Sequence, residues 1–271
     1  MDKITLYIVI LIVLTLGGII CNKVGVENFI VNNSNPKFVM ENFDVYLINL
    51  ERNADRLEFF IEQYMKSDLR YKQFQRINAV DGSALSIKEH ISDVAFKEIM
   101  QIEKTGYRTK HYQLTRGAIG CYLSHLKAYE LIAAASDKEY GFIFEDDAII
   151  DPALLGKLNK VIDSMDDNWD MLLLGCICIV CDTQDTYYDI NRFFLLHGCI
   201  VKRSSATKLI NLLKEKQISQ QIDSELSDLV AQGHIKVYCL KNKLSNQYNF
   251  ETDIQTPLKV MPGINPYTTL I

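Results

Sequence analysis

From Phe43 onward, apolar residues along the chain recur at two spacings, and the switches between them mark out elements. "FDVYLINL" (43–50) and "YGFIFE" (140–145) are near-continuous apolar runs, as expected of strands covered on both faces. "FQRINAV" (74–80) is a further strand that stops at Asp81-Gly82, a turn signal. "WDMLLLG", "FFLLHGCIV" and "HIKVYCL" read as strands too. Between these runs the spacing becomes helical. In "ADRLEFFIEQYM" the residues Leu57, Phe60, Ile61 and Tyr64 share one face. Ile87, Ile91, Ala95, Ile99 and Ile102 do the same across "ALSIKEHISDVAFKEIMQIEK", which predicts one helix. "TRGAIGCYLSHLKAYELIAAA" is also helical. Its stripe of Gly117, Gly120, Cys121, Ser124 and Ala128 lets another element approach closely. A helix is expected to begin near Pro152, which suits a first helical turn. "SSATKLINLLKEK" and a short segment from Asp223 complete the helices. Residues 182–192 are expected to be a polar loop. The last thirty residues hold three of the five prolines and predict an irregular tail laid over the domain. Alternating strands and helices predict an α/β domain with a mostly parallel central sheet.

The chain before Phe43 follows neither pattern. "ITLYIVILIVLTLGGIIC" (4–21) carries no charge and as a helix would be about 27 Å long, close to the thickness of a bilayer's hydrocarbon core. A helix satisfies its backbone groups internally, so residues 1–22 are expected to form a single-pass membrane anchor. A cleaved signal peptide is the competing reading, but no small-x-small cleavage site follows the run. Lys3 and Lys23 flank it almost evenly and leave the side of the membrane open. Residues 23–41 are polar and Asn-rich and read as a stalk, in which Asn32-Asn33-Ser34 fits the N-glycosylation pattern. The folded domain is expected over residues 42–271.

Charge narrows the partners. The net charge is −5 and no Lys/Arg cluster stands out, which argues against nucleic acid as the main partner. The cysteine count is seven. "CICIVC" (176–181) has the spacing C-x-C-x-x-C, but no matching Cys or His pair lies at zinc-site distance. Small apolar side chains in a buried strand are the favoured reading of that run.

The chemistry concentrates in "FIFEDDAII". Glu145, Asp146 and Asp147 sit where a buried strand ends, and in an α/β sheet ligands bind beyond the C-terminal ends of the strands. Three adjacent carboxylates repel one another, so a positive partner is expected. The ordinary reading is a solvated loop, or acids favouring a helix N-terminus. The sharper one is Mn²⁺ or Mg²⁺ held by oxygen ligands and gripping a diphosphate.

Three ordered segments resemble glycosyltransferase family 25, which includes bacterial lipooligosaccharide glycosyltransferases and collagen galactosyltransferase domains. They are "VYLINLERNADR", "GAIGCYLSHLKAYE" and "FIFEDDAII". "FLLHGCIVKRSSATKLI" is a fourth and looser match, and together they run from about residue 43 to residue 230. The resemblance implies a GT-A-like, Rossmann-type domain, a UDP-sugar donor (galactose or glucose favoured), inversion at the anomeric carbon and a divalent cation. The acceptor would be a glycan, a lipooligosaccharide or a glycoprotein. Asp147 is then the expected direct metal ligand, with Glu145 beside it or on the donor sugar. Asp146, close to the metal or the sugar, joins Asp223 as a catalytic carboxylate. Asp223 is the expected general base, although N-capping is its ordinary role. Asn49, Arg52 and Arg56 follow the first strand and would meet the nucleotide or its phosphates, Arg being suited to bidentate phosphate contact. Asp81 would accept from ribose or uracil, unless it only makes the turn. Ser124 and His125 are further donor-site candidates, His125 having a structural role as its alternative. His197 would complete the metal shell or sit satisfied in the core.

The sequence departs from the family at Leu57 and at Ala118, where charged residues are common, and in the C-terminal "NQYNFETDIQ", which matches only loosely. A catalytically silent binding or adhesion module is the alternative function, since fold does not settle activity. A metal-dependent phosphoesterase is weaker, because two metals would ask for more His and Asp ligands than this chain offers.

Overall fold

The structure is a computed structural model, and it describes residues 36–109 and 113–255. The expected anchor, the glycosylation pattern and most of the stalk lie outside the described residues. Among the described residues, no helix is long and apolar enough to cross a membrane.

The elements in chain order are β1 (Phe43–Asn49), α1 (Ala54–Lys66), β2 (Phe74–Asn78), α2 (Asp93–Thr105), α3 (Arg116–Ala134), β3 (Tyr140–Glu145), β4 (Ala148–Ile150), α4 (Leu154–Ile162), β5 (Met171–Leu173), β6 (Ile177–Thr183), β7 (Tyr187–Phe194), β8 (Gly198–Lys202), α5 (Arg203–Lys214), α6 (Ile222–Ala231), β9 (Val237–Leu240) and β10 (Ser245–Gln247). Eight strands form one sheet in the order β2-β1-β3-β8-β5-β9-β7-β6, and β4 pairs separately with β10.

Side chains alternate across the sheet and divide the core in two. Tyr46 and Ile48 of β1, Ile143 of β3 and Cys199 of β8 face one side, where α2, α3, α5 and α6 pack. Phe43, Val45 and Leu47 of β1, Phe142 and Phe144 of β3 and Ile200 of β8 face the other, under α1 and α4. This two-sided cover is why the central strands carry almost no polar residue. Phe38 is buried in the second cluster, its ring 4.8 Å from that of Tyr140, so the domain takes in residues that read as stalk.

The sheet corrects the expectation of a mostly parallel arrangement: it is mixed. β1 runs parallel to both β2 and β3, and β5 to β9, but β8 runs antiparallel to β3 and β5, and β7 antiparallel to β6 and β9. Hydrophobic spacing reports burial and not direction, so it does not reveal the reversal. Three further segments differ from expectation. The helix expected across residues 84–104 breaks, because Ser92 leaves the helical conformation and accepts from the Ala95 amide as the N-cap of α2. A 3₁₀ turn over Ile87–Glu89 precedes it. The expected polar loop at 182–192 is the turn and second strand of the β6–β7 hairpin, closed by Gln184 N donating to Tyr187 O at 2.9 Å. Cys178 and Cys181, in the largely exposed β6, form a disulfide, while Cys176 alone of that run is buried. Pro152 lies just outside α4, which begins at Leu154.

The close approach expected at the small-residue stripe is present. A Cβ on Gly120 would fall on the Val80 carbonyl and 2.8 Å from the Gly82 nitrogen. α3 therefore presses on the turn after β2 and carries Asp81 toward the end of β1.

Candidate active site

β1 is the point where the chain's crossovers part, because its two neighbours in the sheet are β2 and β3. A crevice opens beyond strand ends at such a place. The structure has a cavity of about 830 Å³ there, large enough for a drug-sized ligand or larger. Asn49, Arg52, Arg56, Asp81, Ser124, Glu145, Asp146, Asp147 and Asp223 all line it, as do residues 247–255.

The acidic corner holds itself together with specific partners. Asp146 Oδ2 accepts from Asn49 Nδ2 at 2.6 Å, and its Oδ1 lies 2.7 Å from Arg56 Nη2. Both oxygens are thus engaged, which makes Asp146 the anchor of Arg56 and Asn49. Asp147 Oδ2 accepts from Arg56 Nη2 at 3.1 Å and from Gln247 Nε2 at 3.0 Å. Its Oδ1 is buried without a hydrogen-bond partner. Burial, with the charge of Glu145 added, pushes the Asp147 carboxyl up to about 7. Burial also lifts Asp146 to about 6, against the pull of Arg56 and Asn49.

Glu145 behaves differently. Burial alone would raise it, but a 2.9 Å hydrogen bond with His125 Nε2 and the nearby positive groups hold it below the usual carboxylate range. His125 is fully buried behind Glu145 and off the cavity wall, so it positions that carboxylate. Cys121, one turn earlier on α3, directs its Sγ to the same Glu145 oxygen at 3.8 Å. The ligand atoms of Cys121, His125 and Glu145 lie within 4.8 Å of one another, a spacing that can hold a metal ion. Burial, then the Glu145 charge, keeps the Cys121 thiol protonated, so without a metal the trio closes on itself by hydrogen bonds.

Arg52 pairs with Asp81 and with Asp253, the latter at 3.0 Å. The other Asp81 oxygen takes the Ser83 amide and hydroxyl at 2.9 and 2.6 Å, which is turn chemistry. Ser124 spends its hydroxyl on the Val80 amide and the Gly120 carbonyl, fixing α3 to the turn after β2. His197 is off the cavity wall and buried. Neither of its ring nitrogens makes a hydrogen bond of standard geometry, although the Ser245 backbone is near enough to favour the charged ring; burial outweighs this and lowers its pKa. Asp223, in the first turn of α6, accepts from Ser224 N at 2.8 Å and Leu195 N at 3.4 Å, and burial pushes it up to about 6. Leu195 has φ 80°, a strained value for a residue with a side chain, at the break between β7 and β8. That kink is what turns its amide toward Asp223.

A family model described as "Glycosyltransferase family 25 (LPS biosynthesis protein)" matches residues 42–219. The chain belongs to glycosyltransferase family 25. It is 29% identical over 144 residues to a glycosyltransferase 25 family member of Aedes aegypti, covering 52% of this chain and 22% of that protein. It is 28% identical over 138 residues to procollagen galactosyltransferase 2 of Homo sapiens, covering 49% of this chain and 20% of that protein. It is also 26% identical over 137 residues to an inactive glycosyltransferase 25 family member 3 of Homo sapiens, covering 49% and 21%. The family 25 chain thus aligns with about a fifth of the length of these relatives.

The donor set suits the hard divalent cation that the resemblance implies. Asp147 offers a buried carboxylate oxygen with no other partner, and hard cations take oxygen ligands. The raised carboxyls have a consequence for stability. Asp146, Asp147 and Asp223 bind protons more tightly when folded, so between about pH 4 and 7 the native state carries more protons than the unfolded chain. Stability then falls as pH rises through that window. His197 opposes this over its own lowered range, and the lowered Glu145 carboxyl opposes it at the acid edge of the window. The expected result is a higher midpoint of thermal unfolding at pH 5 than at pH 8 in EDTA, with Mn²⁺ or Mg²⁺ recovering part of the loss at pH 8. A midpoint that rises toward pH 8 without metal would contradict the assignment.

Proposed function

We propose that this chain is an inverting, metal-dependent hexosyltransferase. It moves galactose or glucose from a UDP-sugar to a hydroxyl of a glycan, lipooligosaccharide or glycoprotein acceptor. One observation carries the reading: a pair of arginines and an open carboxylate, Arg52, Arg56 and Asp147, face one cavity at the ends of β1 and β3. A sugar nucleotide needs both, cationic donors for its diphosphate and a seat for the cation that accompanies it. The name of procollagen galactosyltransferase 2 supports galactose.

In this reading Arg52 and Arg56 hold the diphosphate by charge-assisted hydrogen bonds. Asp81 stands beside them, where a ribose hydroxyl would find an acceptor. Asp147 holds Mn²⁺ or Mg²⁺, with Glu145 at its flank kept ionised by His125. When bound, the cation neutralises charge on the leaving diphosphate. Asp223 takes the proton of the acceptor hydroxyl as its oxygen attacks the anomeric carbon from the face opposite UDP, which inverts the configuration. A carboxyl with a pKa of about 6 is ionised at neutral pH and still basic enough for that task. The uncharged run at residues 4–21 supports a single-pass anchor that would keep the domain at a membrane.

Incubating the chain with a panel of UDP-sugars and Mn²⁺, with UDP release as readout, tests the proposal. Turnover with one UDP-hexose that stops in EDTA is the expected result. UDP-sugar binding with neither UDP release nor transfer to an added acceptor would favour the silent binding module, a reading that the inactive human relative brings forward. Radiolabelled sugar transferred to acceptor separates the two, since only an enzyme moves the label.

A further inference from the structure

Residues 248–255 line the cavity as an irregular strap. Its start is pinned by backbone, Tyr248 N donating to Asp147 O at 2.8 Å. Phe250 packs edge-on to Phe59 at 5.2 Å, and the Arg56 guanidinium lies over its ring at 5.2 Å. Further along, the Asp253 carboxylate lands on the group proposed above for the diphosphate. Oδ1 accepts from Arg52 Nη2 at 3.0 Å, and Oδ2 accepts from Asn53 Nδ2 at 2.7 Å and Arg56 Nη1 at 3.1 Å. The strap reaches this depth because residue 117 is glycine. A Cβ there would fall on the Asp253 carbonyl, 2.9 Å from the Ile254 Cα.

An anionic group held by two guanidiniums and an amide is the arrangement a phosphate would adopt. We propose that Asp253 stands in for a phosphate of a nucleoside diphosphate, and that the strap must release Arg52, Asn53 and Arg56 before the donor can bind. The proposal rests on the transferase reading, and it names a gate on the same site. Three features favour exchange. The Asp253 side chain remains 31% exposed, so its ion pairs are partly screened by solvent. A diphosphate brings more charge and more acceptor oxygens than one carboxylate, and matches the guanidinium fork better. Removing Asp253 also takes one negative charge from a corner already holding Glu145, Asp146 and Asp147.

The test compares the full-length wild-type chain with Asp253→Asn, which keeps the shape and removes the charge. UDP is the probe, titrated by calorimetry with Mn²⁺ present. A stand-in carboxylate competes with UDP, so the variant is expected to bind UDP about five- to twentyfold more tightly, with a matching fall in donor KM. In the wild-type chain, UDP with Mn²⁺ should reduce hydrogen-exchange protection across residues 250–255. Equal or weaker binding by a folded Asp253→Asn, or protection that increases with UDP, would overturn the proposal, since Asp253 would then position the arginines for the donor. The exchange measurement decides the matter even if the variant does not fold. If neither chain binds UDP or another nucleoside diphosphate, the transferase reading itself falls and the gate with it. Binding that is unchanged by the variant removes the gate alone.

Discussion

Asp147→Ala is expected to lower kcat/KM for UDP-sugar turnover by roughly 10³-fold or more, the scale of losing a group that fixes charge on a leaving diphosphate. Asp147 is the one acid of the corner with a buried oxygen that no side chain or backbone group engages. Asp146, its neighbour, has both oxygens taken, so Asp146→Ala should act through a loosened Arg56. The Asp147→Ala protein should stay folded. With its carboxyl pushed up to about 7, Asp147 is costly to keep ionised above neutrality, and its loss relieves that cost. The measurement is steady-state transfer with Mn²⁺ alongside thermal unfolding, with EDTA-treated wild type as the reference. Wild-type rates in the variant, or turnover that survives EDTA, would remove the metal from the mechanism.

Asp223→Asn is expected to cost 10²- to 10⁴-fold in kcat, the range for a positioned general base, while UDP affinity changes little. The amide keeps the shape of the carboxylate, and its one oxygen can still accept the shorter bond from Ser224 N; only the longer bond from Leu195 N is given up, so folding should survive. The wild-type profile of kcat/KM should fall on its acid side with a midpoint near pH 6, because protonation there removes the base. The sign follows from burial: a carboxyl raised from its ordinary value is neutral over more of the acid range, and activity is lost as pH falls through that value. A profile flat down to pH 4.5, or near-normal turnover by Asp223→Asn, would assign the proton transfer elsewhere.

Much of this site was legible before any coordinates. Asn49, Glu145 and Asp147 close apolar runs, and the rule that ligands gather beyond strand ends points to the acidic corner; Arg52, Arg56 and Asp223 enter through the family resemblance, and the structure sets all of them, with Asp81, along one cavity. What stayed hidden has physical reasons. Strands β4 and β10 are three residues long, too short for a period to register, yet their pairing brings Gln247 to Asp147. β6 is the edge strand and largely solvated, so the apolar run 176–181 overstates its burial, while the polar stretch 182–192 conceals the hairpin's turn and most of β7. Strand β8 and its reversed direction were masked by the apolar run 193–201, which spans two strands joined through the kink at Leu195. His125 and His197 were placed among donor contacts by their position in motifs, but both lie behind the cavity wall. Asp253 carries no local signal. It becomes a partner of Arg52 and Arg56 only because the chain folds back 197 to 201 residues later.

The β4–β10 ribbon joins two stretches of chain that the eight-stranded sheet does not need. A peptide-bond break just past Leu244 would fall in no strand of that sheet, yet it would sever from the preceding chain residues 247–255, which line one flank of the cavity. The continuity of the eight-stranded sheet and one flank of the cavity thus rest on different stretches of the chain, divided at a single loop.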